Sequence, residues 1–389
     1  MKESALDARM KVIQVTPGID DESSGPSHSV PGLCRGLSAA GCDVCLHCLG
    51  SIPERLESAS YSIANHDYAR GWLKPVGFSP SLLKALRHAA VDADIMQWNG
   101  LWMMPDVYPH WATRRTACKL VSAPRGSLAA AALQRAPVKK AVFGALWQWR
   151  ALRAADMFHA TCVKEYEEIR RAGFRQPVAI VPIGLDIPSK HHEVGLVTGR
   201  NRKLVFLGRL HSIKGVDRLL MAWQQVHEKL PDWSVEIAGP DCGMLPELRR
   251  SVLENKLPRV SFVGELNGED KYDFLSSADL YALPSETENF GITIAEALAC
   301  GVPVITTRGT PWRGLEDERC GWWVDNSVEK LVDAVLSAAA MSSFELASMG
   351  RRGREWIRRE FSWDGIGFKM KLAYEWLING GERPDWVEG

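Results

Sequence analysis

The stretch Leu283–Thr307, LPSETENFGITIAEALACGVPVITT, constrains the fold more than any other part of this 389-residue chain. Leu280–Leu283 is apolar, and Pro284-Ser285-Glu286 stops it. The run from Gly291 to Ala299 is rich in Ala, Ile and Leu and predicts a helix. Gly301 and then Pro303 end that helix, glycine just past the last turn and proline beyond it. Val302–Thr306 is β-branched and predicts a second strand. Strand, loop, helix, strand is a βαβ unit, which requires a parallel sheet and an α/β fold.

Two acids make this stretch chemical. Glu288 falls in the loop and Glu296 about one turn inside the helix. Between them the backbone N–H groups around Asn289, Phe290 and Gly291 open the helix, a place suited to a phosphate. A carboxylate on an otherwise apolar helix face is costly without a partner. Ribose hydroxyls would serve, each charge-assisted bond contributing roughly 1.5–3 kcal/mol. The alternative is a solvated loop acid at Glu288 and a salt bridge at Glu296.

The chain length suggests two domains of ordinary size. Lys plus Arg and Asp plus Glu both number 47, so no global field favours nucleic acid, which is not expected as a partner. Nine cysteines, an odd number scattered through apparent strands and helices, suit a reduced cytoplasmic compartment. Cys42, Cys45 and Cys48 imitate a zinc knuckle, but no second ligand pair follows, and GCDVCLHCLG also reads as a buried strand. No run of eighteen apolar residues predicts a spanning helix, and MKESALDARMKVIQV lacks a signal peptide's apolar core.

The chain opens with a strand at Lys11–Val15, a loop at Thr16–Pro26, a helix over Ser27–Ala40 and a strand at Asp43–Leu49, a Rossmann-type start. The loop lacks G-x-G-x-x-G, which argues against a nucleotide-dependent oxidoreductase. A strand at Asp94–Trp98 leads into NGLWMMPDVYPHW, an apolar loop that either folds onto its own domain or, through Asn99 and Trp102, walls a binding site. Lys119–Ala123 predicts a strand whose carboxyl end carries Arg125, suited to a phosphate or to a structural ion pair. Val138–Arg153 sets apolar and aromatic residues at helical spacing beside Lys139, Lys140, Arg150 and Arg153. That pattern fits a core helix with a solvated basic rim, or a helix lying on an anionic membrane. Strands follow at Asp156–Ala160 and Val178–Ile183 around a helix from Val163, then a polar linker at Ser189–Asn201. The second domain predicts strands at Lys203–Leu207, Val235–Ala238 and Val260–Val263, with Arg209 and Lys214 after the first and Gly215 opening the next helix.

Glu288 and Glu296, with seven residues between them, resemble the E-x7-E motif of retaining glycosyltransferases of family 4, the group 1 glycosyltransferases. GRLHSIKG at Gly208–Gly215 is similar to that family's G-R-L-x-x-x-K-G, and SSGPSHSV, APRGSL and PIGLD resemble its G-G-P, S-P-R-G and P-N-G-x-D segments, with Ser24, Ala123 and Ile183 as departures. Asn99 replaces a histidine that the family often carries there. The resemblance implies a GT-B fold: two facing Rossmann-like domains with parallel sheets and an active site in the cleft. It implies residues 1–195 as the acceptor domain, 196–364 as the nucleotide-sugar domain, and a closing helix over about 365–389 that packs back on the first.

The implied reaction is sugar transfer from a nucleotide-sugar to an acceptor hydroxyl with retention, and without a metal or other cofactor. Arg209 and Lys214 would stabilise the leaving diphosphate, with Gly208 beside them. Glu288 and Asn289 would meet the donor sugar, the amides of Phe290 and Gly291 would orient sugar and phosphate, and Glu296 would bind ribose. Gly264 and Leu266 would lie by the nucleobase, and Gly25 would let the first loop approach the donor. Asn99, Trp102 and Arg125 are candidate acceptor or phosphate contacts. A saccharide or lipid-linked acceptor of surface-polysaccharide assembly is implied, at the cytoplasmic face of the membrane. A phosphorylase or sucrose-type synthase on the same fold, or a non-catalytic binding scaffold, are the rival readings.

Overall fold

The computed structural model describes residues 9–20, 25–67, 74–188 and 201–389. The chain divides into two compact units, Met1–Gly184 with Trp363–Gly389, and Leu185–Ser362. Of the expected linker Ser189–Asn201, all but Asn201 lies outside the described residues, as do Ser23 and Ser24 of the first loop.

In chain order the first unit contributes β1 (Lys11–Gly18), β2 (Asp43–Leu49), β3 (Ser62–His66), β4 (Ile95–Asn99), β5 (Lys119–Ala123), β6 (Met157–Ala160) and β7 (Val178–Ile180). The second contributes β8 (Arg202–Leu207), β9 (Trp233–Ala238), β10 (Val260–Gly264), β11 (Leu280–Leu283), β12 (Val304–Thr307) and β13 (Gly321–Val324). A last strand, β14 (Val387–Glu388), returns to the first unit. The sheets run β14-β7-β6-β5-β4-β1-β2-β3 and β10-β9-β8-β11-β12-β13. Pairing is parallel throughout, except that β14 lies antiparallel on β7 at the edge.

Each sheet therefore steps outward in one direction from its first strand and then resumes on that strand's other side. The reversal falls between β1 and β4 in one unit and between β8 and β11 in the other. In open α/β sheets ligands bind beyond the carboxyl ends of strands at such a reversal, where the flanking loops diverge.

The strands are near-continuous apolar runs because both faces of each sheet are covered. On the first sheet, Leu82, Leu86, Tyr108, Leu152 and Phe158 fill one side. Val30, Leu33, Leu37, Ile366, Met370 and Tyr374 fill the other. The last helix, Trp363–Asn379, thus completes the first unit's core by packing on the helix Gly25–Ala39. The loop after β4 folds onto its own unit, with Met104, Val107 and Tyr108 buried.

GCDVCLHCLG forms the turn into β2 and that strand itself, and all nine cysteines are free. Burial pushes the Cys48 thiol up to about 12, as expected of a small apolar core residue. Among the described residues no group of three or more His, Cys, Asp or Glu could hold a metal ion, and no single helix is long and apolar enough to cross a membrane.

Candidate donor site at the reversal of the second sheet

Two loops meet at the reversal between β8 and β11, and they are the two motif stretches. Gly215 adopts φ +74°, which glycine tolerates without a Cβ penalty. A Cβ there would lie 2.1 Å from the Pro284 carbonyl oxygen, so only glycine lets the loops approach this closely. The Glu286 amide donates to the Ile213 carbonyl at 2.8 Å, and Arg218 Nη2 donates to the Pro284 carbonyl at 2.9 Å. The loops are fastened by backbone, and their side chains are presented from a fixed frame.

Lys214 Nζ lies 2.6 Å from Glu288 Oε1, with both side chains largely buried. Ser285 Oγ donates to the same oxygen at 2.7 Å, and Thr307 Oγ1 donates to the Ser285 carbonyl. Glu288 is therefore no solvated loop acid. The Arg209 side chain, in contrast, is exposed and makes no hydrogen bond or ion pair with the described residues.

Gly291, at φ +79°, is the N-cap of the helix Ile292–Ala299. Its predecessor Phe290 is held by its carbonyl, which accepts from Trp312 Nε1, and by ring contacts with Trp312 and Phe361. At the other end of the helix the Gly301 amide donates to Leu298 at 2.9 Å and the Val302 amide to Ala297 at 3.0 Å, a Schellman ending. One turn in, Glu296 is 4% exposed. Its Oε1 accepts from Lys271 Nζ at 2.7 Å, and its Oε2 is buried without a hydrogen-bond partner among the described residues. A salt bridge at Glu296 is thus present, but it occupies one carboxylate oxygen only.

Tyr281 stands on β11 with its hydroxyl 3.1 Å from the Leu207 carbonyl and 2.7 Å from Thr293 Oγ1, tying strand ends to the helix start. Gly208 continues β8, and Gly239 passes so near that a Cβ on it would lie 1.9 Å from the Gly208 oxygen. Gly264 ends β10, exposed, its carbonyl accepting from the Gly239 amide at 2.7 Å, with half-buried Leu266 beyond. Asn289 lies in the same loop between Glu288 and Phe290 and is half-buried.

The first unit gathers its own residues at the reversal between β1 and β4. Gly25 begins the first helix, and a Cβ added there would meet nothing within 4 Å, so no packing demands glycine at that point. Asn99 is 1% exposed, and its amide is engaged inside the fold. Its Nδ2 donates to Gln14 Oε1 at 2.9 Å, while its Oδ1 accepts from Gln97 Nε2 at 3.2 Å and Arg125 Nη2 at 2.9 Å. Tyr374 of the last helix closes the ring, donating to Gln97 Oε1 at 2.8 Å and accepting from Gln14 Nε2 at 3.2 Å. Asn99 is thus turned inward onto Arg125, whose Nε is buried without a hydrogen-bond partner among the described residues. Trp102 packs edge-on against Trp149 at 5.4 Å and donates its amide to Gln148 Oε1 at 3.0 Å, folded onto its own unit.

Sequence reasoning missed Ser285, Lys271, Tyr281 and Trp312. Only Ser285, three residues before Glu288 in the same loop, left a legible trace.

Residues 201–340 match the family model described as Glycosyl transferases group 1, and residues 24–184 match the Glycosyl transferase 4-like domain. The chain is similar to the GDP-mannose-dependent monoacylated alpha-(1-6)-phosphatidylinositol monomannoside mannosyltransferase of Corynebacterium glutamicum, 34% identical over 42% of this chain and 44% of that one. It is also similar to the D-inositol 3-phosphate glycosyltransferase of Segniliparus rotundus, 27% identical over 53% of this chain and 48% of that one. The matched region spans about half the length of these curated relatives. Among solved structures, Anabaena Alr3699/HepE in complex with UDP superposes with a TM-score of 0.75 at 18% identity, covering 93% of this chain and 99% of that one. The sucrose-phosphate synthase of Thermosynechococcus elongatus superposes with a TM-score of 0.73 at 21% identity, covering 96% and 100%. At such identities the likeness is one of fold, and it is the GT-B fold. With both units matched by their own models, the chain belongs to the group 1 glycosyltransferases, family 4.

Proposed function

We propose that the chain moves a sugar from a nucleotide-sugar to an acceptor hydroxyl, with retention of configuration and without a metal ion. The observation that carries this reading is the Lys214–Glu288 pair beside Glu296 at the reversal of the second sheet. Lys214 and Arg209 take the donor's diphosphate and stabilise the charge that grows on it as the glycosidic bond breaks. Preorganised cations act where charge develops, and this is the work a divalent metal would otherwise do. Glu288 turns to the donor sugar as Lys214 engages phosphate, Asn289 lies alongside, and the Phe290 and Gly291 amides orient both. Glu296 receives the ribose hydroxyls, and Gly264 and Leu266 border the base.

In this scheme the acceptor oxygen bonds to the anomeric carbon on the face that the phosphate leaves. The departing phosphate oxygen takes the acceptor proton, and no separate base is required. Arg125 is the first unit's cation for a phosphate or carboxylate, and Gly25 leaves room for close approach. A saccharide or lipid-linked acceptor is supported by the relative named for a phosphatidylinositol monomannoside. The exposed apolar face within residues 138–153 supports peripheral contact with an anionic membrane on the cytoplasmic side.

The test is a thermal-shift panel of UDP, GDP, ADP and dTDP and their sugars, each with and without Mg²⁺. One diphosphate at about 100 times its Kd should stabilise by about 2.7 kcal/mol, independently of metal. No shift with any of them would remove the donor site. A shift that appears only with Mg²⁺ would remove the metal-free mechanism.

A further inference from the structure

We propose, resting on the donor-site reading above, that Trp312 is a positioning residue for the donor sugar. Its indole N–H fixes the plane of the Phe290–Gly291 peptide and so sets the conformation of the loop that carries Glu288 and Asn289. Trp312 lies outside both motif stretches, in the segment between β12 and the helix Gly314–Asp317. That segment runs against the donor loop and holds it at two points. The Gly309 carbonyl accepts from the Glu288 amide at 3.1 Å, and Trp312 Nε1 donates to the Phe290 carbonyl. Gly309 permits the approach, since a Cβ on it would lie 2.1 Å from the Glu286 carbonyl oxygen.

A trans peptide is planar, and its carbonyl and N–H point in opposite directions. Holding the Phe290 carbonyl therefore also sets where the Gly291 N–H points, away from the indole. Glycine accepts φ of either sign, so Gly291, at φ +79°, does not by itself oppose a flip of this peptide. The indole that opposes the flip is held in turn. Trp312 is 2% exposed, stacks on Phe361 at 5.5 Å and meets Trp356 edge-on at 5.5 Å. A Cβ built on Gly291 would lie 3.5 Å from Trp312 Nε1 and 3.5 Å from Glu288 Cγ, so this glycine borders both the indole and the acid.

Trp312→Phe keeps an aromatic ring in the cluster and removes the N–H. An indole that only fills the core would alter stability and leave the relative affinities of two ligands alone. An indole that positions the loop acts on the sugar's contacts, and spares the diphosphate's contacts with Lys214 and Arg209 after β8. Trp356→Phe is the control, because it loosens the same cluster while the Trp312 bond to Phe290 stays.

The measurement is a pair of dissociation constants, for UDP, GDP and ADP and for UDP-glucose, GDP-mannose and ADP-glucose, using the pair that binds wild type best. In Trp312→Phe the nucleotide-sugar should weaken about fivefold to tenfold, the worth of one hydrogen bond, while the diphosphate stays within about twofold. Trp356→Phe should lower the melting temperature and keep the wild-type ratio. Equal weakening of both ligands in Trp312→Phe, or of neither, would overturn the inference, as would the same split in Trp356→Phe. Loss of folding in both Trp312→Phe and Trp312→Tyr would overturn it too, because the N–H would then hold the fold rather than the loop. Wild type that binds a diphosphate but none of the three nucleotide-sugars overturns this inference alone. Wild type that binds none of the six overturns the donor-site reading, and this inference with it.

Discussion

Lys214 is held by Glu288, whose carboxylate lies 2.6 Å from its ammonium. In the proposed donor site a diphosphate would draw Lys214 from that partner, an exchange of one cation between two anions rather than a fresh desolvation. Lys214→Ala should therefore lower turnover roughly 100-fold, the cost of losing one preorganised charge, while circular dichroism and melting show a folded protein. Near-normal turnover would remove Lys214 from the chemistry. Histidine chemistry acts on stability instead. His159 Nε2–H donates to the Val181 carbonyl at 2.8 Å, and its Nδ1 accepts from Gln97 at 3.3 Å, so the folded protein holds it neutral. Burial first, then the Arg125 charge, pushes its pKa down to about 3. Burial and His66 push His47 down to about 4. An unfolded histidine titrates near 6.5, roughly, so below that pH the unfolded chain takes up protons that the folded one refuses. Stability is full above about 6.5 and declines on acidification, by up to about 1.4 kcal/mol per pH unit for each histidine. Melting followed from about pH 7.5 to 4.5 should show a shallower decline in His159→Gln than in wild type; parallel curves would exclude His159 as a source.

At the scale of elements, the last helix and the helix Gly25–Ala39 touch through their backbones. A Cβ on Gly36 would lie 2.3 Å from the Trp363 carbonyl oxygen and 3.2 Å from Gly367 Cα. Neither neighbour is a flexible side-chain end, so Gly36→Ala must separate the helices. Overpacking of this kind costs about 1–3 kcal/mol, read as a fall of several degrees in melting temperature; an unchanged value would mean that the helices slide freely. The expected single helix at Val138–Arg153 is interrupted. It runs as Pro137–Phe143, a π turn at Gly144–Gln148, and Trp149–Arg153. Val138, Val142 and Leu146 are exposed in one stripe, and no acid occurs between Asp106 and Asp156. Lys140, expected on the basic rim, turns inward to the Ala132 carbonyl and the Trp102 ring. Flotation with anionic liposomes should carry the protein upward, and neutralising Lys139, Arg150 and Arg153 or introducing Val142→Asp should abolish it. Wild type that stays with the soluble fraction would end the membrane proposal.

At the scale of the whole molecule, one topology appears twice, and in each unit it brings distant loops to the same reversal of strand order. The βαβ unit at Leu283–Thr307 was legible because its signals are local: a β-branched run, an apolar helix, Gly301 at φ +78° where a left-handed residue must end it. Edge strands were less so. SIANH of β3 is only partly buried and carries little apolar pattern, and β14 is two residues long. Charge partners were not legible at all. Glu288 could have been a solvated acid and Glu296 an ordinary helix salt bridge on spacing alone, and Lys271 sits in a polar helix where a lysine is unremarked. The sequence by itself determined most of the central strands and their helices, where glycine must turn, and which acids and cations are available. Only the tertiary structure decided that Lys214 meets Glu288, that Lys271 takes one oxygen of Glu296, and that Asn99 turns inward to Arg125. The physical reason is range. Backbone preference is set within a few residues, whereas an ion pair or a buried hydrogen bond depends on distances in space that chain order does not encode.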